Sequence, residues 1–249
     1  MSTWETDKLT NPSRARQAAS GRAGLALQPV GFGVSCPAMK LHVLPSGMIS
    51  TNAFLLTDAG RGEALLIDAP GEVWPKVEPM LQAEGCQLTE LWITHGHWDH
   101  TQGGAELVAA TGVPVRAHVA DQILIETPEV MEGYMGERLG LKGIPVDHWL
   151  EPGERLEALG LPVEVRHVPG HCPGNVLFWF ETAGAAFVGD AIFAGSIGRT
   201  DLPGGSFEEL EASIRREIYS LPDATVLYPG HGGPTDVARE KRSNPHVRP

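Results

Sequence analysis

Hydrophobic residues fall into short runs that are separated by glycine, proline and charged residues along most of the chain. Runs of about four to eight residues that are rich in β-branched and aromatic side chains are typical of buried strands. We predict strands over residues 40–44, 53–57, 64–67, 91–94, 113–117, 155–159, 163–167, 176–180, 185–188 and 226–228. Residues 176–180 and 185–188 are close enough in the sequence to form a hairpin.

Three segments instead carry apolar residues at helical spacing. In the clearest of them, Leu210, Ile214 and Ile218 recur every four residues and would line one face of a helix. In another, Pro79 lies inside the segment and weakens the helical pattern there. The helices are predicted over residues 73–84, 101–111 and 207–219. This mixture of strands and helices is compatible with several layered architectures.

Residues 123–148 follow neither pattern cleanly. Their apolar residues are partly helical in spacing, and four glycines occur between Gly133 and Gly143. One hypothesis is a flexible excursion that forms a lid over a site, and the other is a packed connector. The pattern alone does not decide between them.

The candidate chemistry is concentrated in His95, His97, Asp99 and His100. Imidazole nitrogens and carboxylate oxygens are the ligands that zinc and similar cations take in proteins. The cluster lies between the predicted strand at 91–94 and the helix that follows, so we expect a loop at a strand end. Such loops are where layered α/β proteins usually place functional residues.

Three later residues occur in the same kind of context. His171, Asp190 and His231 each follow an apolar, strand-like run. Both histidines stand in a Pro-Gly-His sequence, where glycine permits a close approach of the backbone. A lone histidine is more often structural than a ligand, and we assign that role to the remaining ones. These structural histidines are His42, His118, His148, His167 and His246.

Five blocks of sequence together resemble the metallo-β-lactamase-fold hydrolases, and in particular the glyoxalase II-like (hydroxyacylglutathione hydrolase-like) branch. The blocks are Leu-Ile-Asp at 66–68, His-Gly-His-Trp-Asp-His at 95–100, Pro-Gly-His at 169–171, Gly-Asp at 189–190 with Gly-Ser-Ile-Gly-Arg-Thr-Asp at 195–201, and Tyr-Pro-Gly-His-Gly at 228–232. The resemblance implies an α+β fold, a four-layer αββα sandwich.

The resemblance covers residues 39–245, so we expect a single domain over residues 39–249. Residues 1–38 lack periodicity and are predicted to form a disordered tail. A related hypothesis is that translation starts at Met39. Full-length glyoxalase II enzymes carry a C-terminal helical domain that supplies much of the glutathione site, whereas only residues 232–249 follow the last ligand here. The similarity is therefore to a short form.

The resemblance also implies the roles of the site residues. It assigns His95, His97 and His171 to one metal ion, Asp99, His100 and His231 to a second, and Asp190 to a bridge between them. The expected cofactors are two divalent metal ions, with zinc the first choice and iron or manganese the alternatives. Asp99 and Asp68 are the candidate catalytic residues. Asp68 would orient a ligand side chain, and its alternative role is to cap a turn.

The implied reaction is hydrolysis of a thioester such as S-lactoylglutathione by a hydroxide that the two metal ions generate at neutral pH. Because a thiolate is a good leaving group, a thioester needs little help from a general acid. Arg199 is a candidate to bind a substrate carboxylate, and the alternative is an internal Arg199–Asp201 pair. Tyr134 and Arg138, in the segment at 123–148, are weaker candidates for substrate binding.

Other functions stay open. An iron-dependent persulfide dioxygenase would share the fold, similar ligands and the Gly-Arg-Thr-Asp sequence. A hydrolase of lactams or other esters is a further alternative, and a non-catalytic scaffold is disfavoured because no ligand position is missing. The sequence lacks G-x-S-x-G, a P-loop and a complete G-x-G-x-x-G, which argues against serine and nucleotide chemistry.

Composition narrows the partners and the compartment. The formal net charge of −12 disfavours nucleic-acid binding, and no uncharged run predicts a membrane span. The cysteines, Cys36, Cys86 and Cys172, are odd in number and far apart, so no disulfide framework is indicated. We therefore expect a cytoplasmic protein with a small-molecule substrate. The sequence does not determine its oligomeric state.

Overall fold

A computed structural model describes residues 30–31 and 39–249, which form two β-sheets with helices on their outer faces. The first sheet contains β1 Val30–Gly31, β2 Met39–Ser46, β3 Thr51–Asp58, β4 Glu63–Ile67, β5 Gln87–Trp92, β6 Val115–His118 and β7 His148–Leu150. The second contains β8 Arg155–Ala158, β9 Leu161–His167, β10 Val176–Phe180, β11 Ala185–Gly189, β14 Val226–Pro229 and β15 Thr235–Asp236, and β12 Ile192–Phe193 pairs with β13 Ser196–Ile197.

Seven α-helices complete the described part of the chain. They are α1 Trp74–Glu84, α2 Trp98–Thr101, α3 Gly104–Thr111, α4 Gln122–Glu126, α5 Glu129–Met135, α6 Phe207–Ser213 and α7 Val237–Ser243. Single 3₁₀ turns occur at Val119–Asp121 and Glu181–Ala183, and a π-helical turn at Ile214–Ile218 continues α6. None of the helices in the described residues is long and apolar enough to span a membrane.

Both sheets mix parallel and antiparallel pairs. In the first sheet the strands lie in chain order, antiparallel from β1 to β4 and parallel from β4 to β7. In the second, β11 and β14 are parallel and the other neighbours are antiparallel. Parallel neighbours end at the same sheet edge, so residues that follow β4, β5, β11 and β14 gather at two such edges.

The alternation of side chains along the strands builds the layers. In β4, Leu65 and Ile67 are buried between the sheets, whereas Ala64 and Leu66 face the helices outside. The inner core joins residues of both sheets, including Trp92 and Phe178. Residues of α1 and α3 pack on the outer face of the first sheet, and residues of α6 pack on that of the second. The predicted four-layer αββα sandwich is confirmed.

The ligand motif has more helix than the sequence indicates. We expected its four side chains on a loop, but α2 begins at Trp98 and includes Asp99 and His100. The predicted helix at 101–111 is correspondingly divided into α2 and α3 around Gly103. A Cβ atom at Gly103 would lie 2.2 Å from the carbonyl oxygen of Pro70, so this backbone contact needs glycine. A four-residue helix is too short to show a periodic pattern, which explains the error.

The segment at 123–148 is a packed connector in the structure. It forms α4 and α5, and Leu124, Met131 and Leu141 make a small buried cluster against Trp98. Gly133 lies within α5, and the other three glycines lie outside the helices; Gly136 ends α5 with a φ of 70°. Packing against Trp98 fixes this segment beside the ligand motif. The segment thereby forms one wall of a cleft that opens onto that motif.

Within the predicted tail, Val30 and Gly31 pair with Leu41 and Lys40 and add a short edge strand to the first sheet. The rest of the predicted disorder at residues 1–38 lies outside the described residues.

We predict that Phe178→Ala destabilises the fold by about 3–5 kcal/mol, the usual cost of removing a fully buried phenyl ring. Phe178 is completely buried, and its ring centroid lies 5.0 Å from that of Trp92. The free energy of unfolding from urea titration measures the effect. The control Val119→Ala, at a position that is 51% exposed, should change stability by less than about 0.5 kcal/mol. Equal losses in the two variants would contradict this account of the core.

Candidate metal centre

The candidate ligands meet at one end of the sandwich because several strands end there. His95 follows β5, and Asp190 and His231 follow the parallel pair β11 and β14. His171 lies between β9 and β10. Because β9 and β11 are both antiparallel to β10, β9 runs in the same direction as β11 and ends at the same edge. Sheet topology therefore brings together residues that are up to 136 positions apart, from His95 to His231.

All seven predicted ligands are in this cluster. Among the described residues, three groups of side chains have ligand atoms within 4.8 Å of one another. The groups are His95, His97 and His171; His95, His100 and Asp190; and Asp99, His100 and His231. Two of these groups have the membership that the resemblance implies for the two metal ions. Metal binding by these seven side chains stays a prediction.

Asp190 lies between the two groups. Its Oδ1 is 3.4 Å from Nε2 of His100, and its Oδ2 is 3.7 Å from Nε2 of His171 and 3.4 Å from Nε2 of His231. One carboxylate therefore has an oxygen near a side chain of each predicted triad. This is the geometry that a bridging carboxylate requires.

The chemistry of the donor set fits a cation. Among the described residues, Nε2 of His95, Nε2 of His100 and Oδ1 of Asp190 are buried and have no hydrogen-bond partner. An unpaired polar atom in the interior costs free energy, whereas a cation shared by these lone pairs would stabilise all three. His97 Nδ1 and His171 Nε2, both in the first triad, lie within hydrogen-bonding distance of each other at 2.8 Å.

Hydrogen bonds behind the cluster fix the orientation of the ligands. Nδ1 of His100 lies 2.7 Å from Oδ2 of Asp68, which leaves Nε2 facing the cluster. Nδ1 of His171 donates to the carbonyl oxygen of Arg199 at 2.7 Å, with the same consequence. Thr51 Oγ1 donates to Asp99 Oδ2 at 2.7 Å. Such outer contacts set the tautomer and the ring position of metal-binding groups.

Asp68 is placed to orient ligands, and it also accepts hydrogen bonds from Thr94, just beyond the end of β5. It is fully buried, has a φ of 61°, and accepts from both the backbone nitrogen and the hydroxyl of Thr94 at 2.7 Å. The Thr94 hydroxyl is in turn 3.1 Å from Nδ1 of His95. One carboxylate therefore contacts His100 directly and His95 through Thr94. A local turn-capping role does not describe these long-range contacts.

The histidines of the cluster differ in their pKa values, which the nearby carboxylates raise for some of them. Burial opposes the charged form of His100, but Asp99 and Asp190 outweigh it and raise its pKa well above the ordinary value. Burial likewise opposes the charge on His231, and Asp190 and Asp99 raise its pKa to about 9. Burial and the nearby His171 lower the pKa of His97 to about 3. In the metal-free protein His100 and His231 are therefore positively charged at neutral pH, whereas His97 is neutral.

Asp121 is a component of the site that the sequence does not reveal. Its carboxylate is fully buried and accepts from the backbone of Gly96 at 2.8 Å and of Gly174 at 2.6 Å. It also accepts from Cys172 Sγ at 3.1 Å. Asp121 therefore joins the loop of the first motif to the loop that carries His171. Its sequence neighbourhood offers no metal-binding pattern that would have found it.

Cys172, which follows His171 in the sequence, is fully buried. Burial, together with the charge of Asp121, raises the pKa of its thiol well above the usual range. The thiol therefore stays protonated and donates to Asp121, which a thiolate ligand does not do. His42, His148 and the stacked pair of His118 and His167 likewise bond elsewhere.

A cleft of about 530 Å³ opens onto the cluster. Five cluster residues line its floor: His97, Asp99, His171, Asp190 and His231. The remaining lining residues are Ile49, Trp98, Leu124, Met131, Tyr134, Phe193, Arg199, Leu202 and Pro203.

Two of the three predicted substrate-binding residues thus face the cleft. Tyr134 is 49% exposed and lines it, and Arg138 is exposed and lies outside the lining. Arg199 lines the cleft but makes a two-pronged pair with Asp201, at 2.8 and 2.9 Å.

Comparison with known proteins agrees with this geometry. The model of the Metallo-beta-lactamase superfamily matches residues 47–231. This chain belongs to the metallo-beta-lactamase superfamily. It is 35% identical to "Hydroxyacylglutathione hydrolase GloC" of Haemophilus influenzae, over 84% of this chain and 98% of that protein. Superfamily membership and the clustered ligand atoms indicate a metal-dependent hydrolase that acts on small molecules.

Solved structures with the same fold include a metallo-beta-lactamase and a di-iron-bound protein. The BLEG-1 B3 metallo-beta-lactamase has a TM-score of 0.77 and 31% identity, covering 83% of this chain and 99% of that one. TTHA1623, in a di-iron-bound form, has a TM-score of 0.71 and 35% identity, covering 89% and 100%. ETHE1 from Myxococcus xanthus has a TM-score of 0.68 and 27% identity, covering 83% and 84%.

Metal binding should release protons, because His100 and His231 are protonated in the metal-free protein near pH 7. We predict that His231→Gln releases about one proton fewer than the wild type when zinc is added at pH 7. Zinc titration in weak buffer with a pH indicator measures this difference. The difference should decline as the pH rises through about 9, where His231 loses its proton. His148→Gln is the control, and an unchanged release in His231→Gln would contradict the prediction.

Replacing Asp121 should loosen the metal centre. Asp121→Ala leaves the buried N–H groups of Gly96 and Gly174 without an acceptor, so we predict about 10–100-fold weaker metal binding and a lower melting temperature. Asp121→Asn keeps one acceptor oxygen and should lie between. Competition with a chromophoric chelator measures the affinity. Asp223→Ala, at an exposed aspartate paired with Lys241, is the control; wild-type affinity in Asp121→Ala would remove this residue from the site.

Proposed function

We propose that residues 39–249 form one domain that hydrolyses small-molecule thioesters with two divalent metal ions. The observation that carries the proposal is the position of Asp190 between two groups of buried ligand atoms. The likeness to "Hydroxyacylglutathione hydrolase GloC", over nearly the whole length of that protein, supports the choice of thioesters.

The seven side chains would hold the metal ions as two triads with Asp190 between them. Zinc is our first choice, and iron and manganese accept the same nitrogen and oxygen ligands. When bound, such ions lower the pKa of water and polarise a carbonyl group, which supplies a nucleophile and an electrophilic centre at neutral pH. Metal binding suits the site because His95, His100 and Asp190 each have a buried atom that lacks a hydrogen-bond partner.

The remaining residues of the site hold the ligands and the water in position. Nδ1 of His100 donates to Asp68, and Nδ1 of His171 donates to the carbonyl oxygen of Arg199. The Nε2 atom of each ring is therefore the one available to bind a cation. Burial opposes the charge on Asp99, but His100 and a hydrogen bond from His231 lower its pKa to about 2. Asp99 is thus ionised at neutral pH and can accept a hydrogen bond from the attacking water.

Thioesters suit this cleft because their leaving group needs no acid. The thiol has a pKa of about 8.5, so the thiolate departs near neutral pH without a proton donor. An amide nitrogen would need one. Among the described residues that line the cleft, the side chains without a metal-binding role are mostly apolar, and Tyr134 is the one neutral hydroxyl.

A persulfide dioxygenase is the second candidate, and the likeness to ETHE1 from Myxococcus xanthus supports it. A lactam hydrolase is the third, on the basis of the likeness to BLEG-1. We also infer a cytoplasmic, small-molecule enzyme. Cys86 and Cys172 are free, and the charge of −12 disfavours nucleic acid.

We predict that His97→Ala abolishes thioester hydrolysis, with at least a hundredfold loss of kcat/KM and a lower metal content. His97 contributes one atom of the first triad. The measurement combines metal analysis with release of the thiol from S-lactoylglutathione and other thioesters. His148→Ala, which changes a histidine bound to Glu154, should behave as the wild type. Unchanged turnover in His97→Ala would refute the site.

The same preparation separates the candidate reactions. Oxygen uptake with glutathione persulfide, together with iron as the bound metal, would replace our proposal with the dioxygenase. Cleavage of a chromogenic lactam in preference to all thioesters would replace it with a lactamase. Full thioester hydrolysis after removal of every transition metal would refute the metal-dependent mechanism.

A further inference from the structure

The cleft beside the metal centre is apolar above its floor. On one side Leu124 and Met131 pack against Trp98 and present an aliphatic wall. On the other side the ring of Phe193 lies 6.1 Å from that of His231 and faces the same cavity. A part of a substrate that extends from the ligand cluster between these walls meets mainly carbon atoms.

Two large apolar side chains mark the entrance. Ile49 is 53% exposed and Tyr134 is 49% exposed, although both line the cleft. Exposure of such side chains to water is unfavourable, and a bound apolar group would cover them. Ile49 comes from the β2–β3 turn and Tyr134 from α5, so the entrance is built from separate parts of the chain.

Above its floor, where the two proposed metal ions would bind, the cleft offers no unpaired positive charge to an anionic group. Among the described residues that line it, Arg199 is the one lysine or arginine, and Asp201 neutralises it through two hydrogen bonds. The whole chain carries −12 charges, which also repels anions. A glutathione carrier has two carboxylates, and this surface provides no unpaired cation for either.

We propose that the arm of the substrate that fills this cleft is uncharged and apolar, such as a medium-length alkyl or an aryl group. This inference rests on the proposed thioester hydrolysis and specifies its substrate class. An apolar arm next to the scissile carbonyl can belong to the acyl group or to the thiol. The cavity of about 530 Å³ is within the range that holds a small organic ligand of this kind.

The expected size of the effect follows from the transfer free energy of a methylene group. Each methylene that the walls bury raises kcat/KM by about fourfold, until the cavity is full. A series from two to eight acyl carbons should therefore gain at least tenfold. A charged group at the entrance should reduce this gain, because an alkyl chain would then have to pass an ammonium group.

The experiment uses the metal-loaded protein and uncharged carriers. Acetyl, butanoyl, hexanoyl and octanoyl thioesters of N-acetylcysteamine vary the acyl arm, and S-alkyl thioacetates of increasing length vary the thiol arm. We expect kcat/KM to rise at least tenfold along one series, which identifies the arm that occupies the cleft. S-octanoylglutathione should be no better a substrate than its N-acetylcysteamine counterpart.

A matched pair of variants tests the place of binding. Ile49→Lys should lower the ratio of kcat/KM between the longest and the shortest substrate by about fourfold or more. Met48→Lys is the control, because Met48 is 69% exposed and lines a different cavity. It should keep the wild-type ratio. Melting temperatures of both variants verify that each has folded.

Three results would overturn the inference. If thioesters are hydrolysed but neither series shows a length effect, the apolar arm is wrong and the thioesterase stands. The same holds if the glutathione carrier is favoured more than tenfold at equal acyl length. If no thioester is hydrolysed by the metal-loaded protein, the proposed function itself is wrong, and the inference is rejected with it.

Discussion

The structure depends on the burial of five imidazoles and two carboxylates in one small volume. Six of these seven side chains are buried, and burial of charged or unpaired polar groups is costly unless they are compensated. Asp190 illustrates the problem: burial opposes its charge, yet His100 and His231 hold its pKa well below the ordinary value. A pair of cations would satisfy the remaining lone pairs, which is why we interpret the cluster as a metal centre.

Such a cluster also needs a rigid frame, because nitrogen and oxygen atoms a few ångströms apart would otherwise rotate to avoid one another. The two sheets supply it by ending several strands at one edge, and two buried aspartates complete it. Asp68 fixes His100 and, through Thr94, His95. Asp121 fixes the loops on either side of the cleft floor. Gly230 permits the close packing, since a Cβ atom there would lie 2.2 Å from Asp190 Oδ1.

The sequence predicts the members of the cluster better than it predicts their surroundings. The ligands follow apolar strands, and both the strand pattern and the ligand chemistry are local features that a linear sequence shows. Asp121 has partners 25 and 53 residues away, so no local pattern marks it. The apolar walls were missed for the same reason, because the turn after β2, α2, α4 and α5 contribute one or two residues each. The helix at Asp99 was missed because four residues cannot show a period.

Arg199 shows how one residue can fit two hypotheses. Its carbonyl oxygen accepts the Nδ1 proton of His171, a role that depends on the path of the loop and not on the guanidinium group. Its side chain pairs with Asp201, and this pair stiffens the same loop. Both groups are largely exposed, at 60% and 69%, so water screens their attraction and a stronger anion could displace Asp201. Such a displacement would leave the negative charge of Asp201 without its partner and close to the negative charge of the bound anion. The pair therefore serves the metal centre better as a support for His171 than as a receptor for a charged substrate.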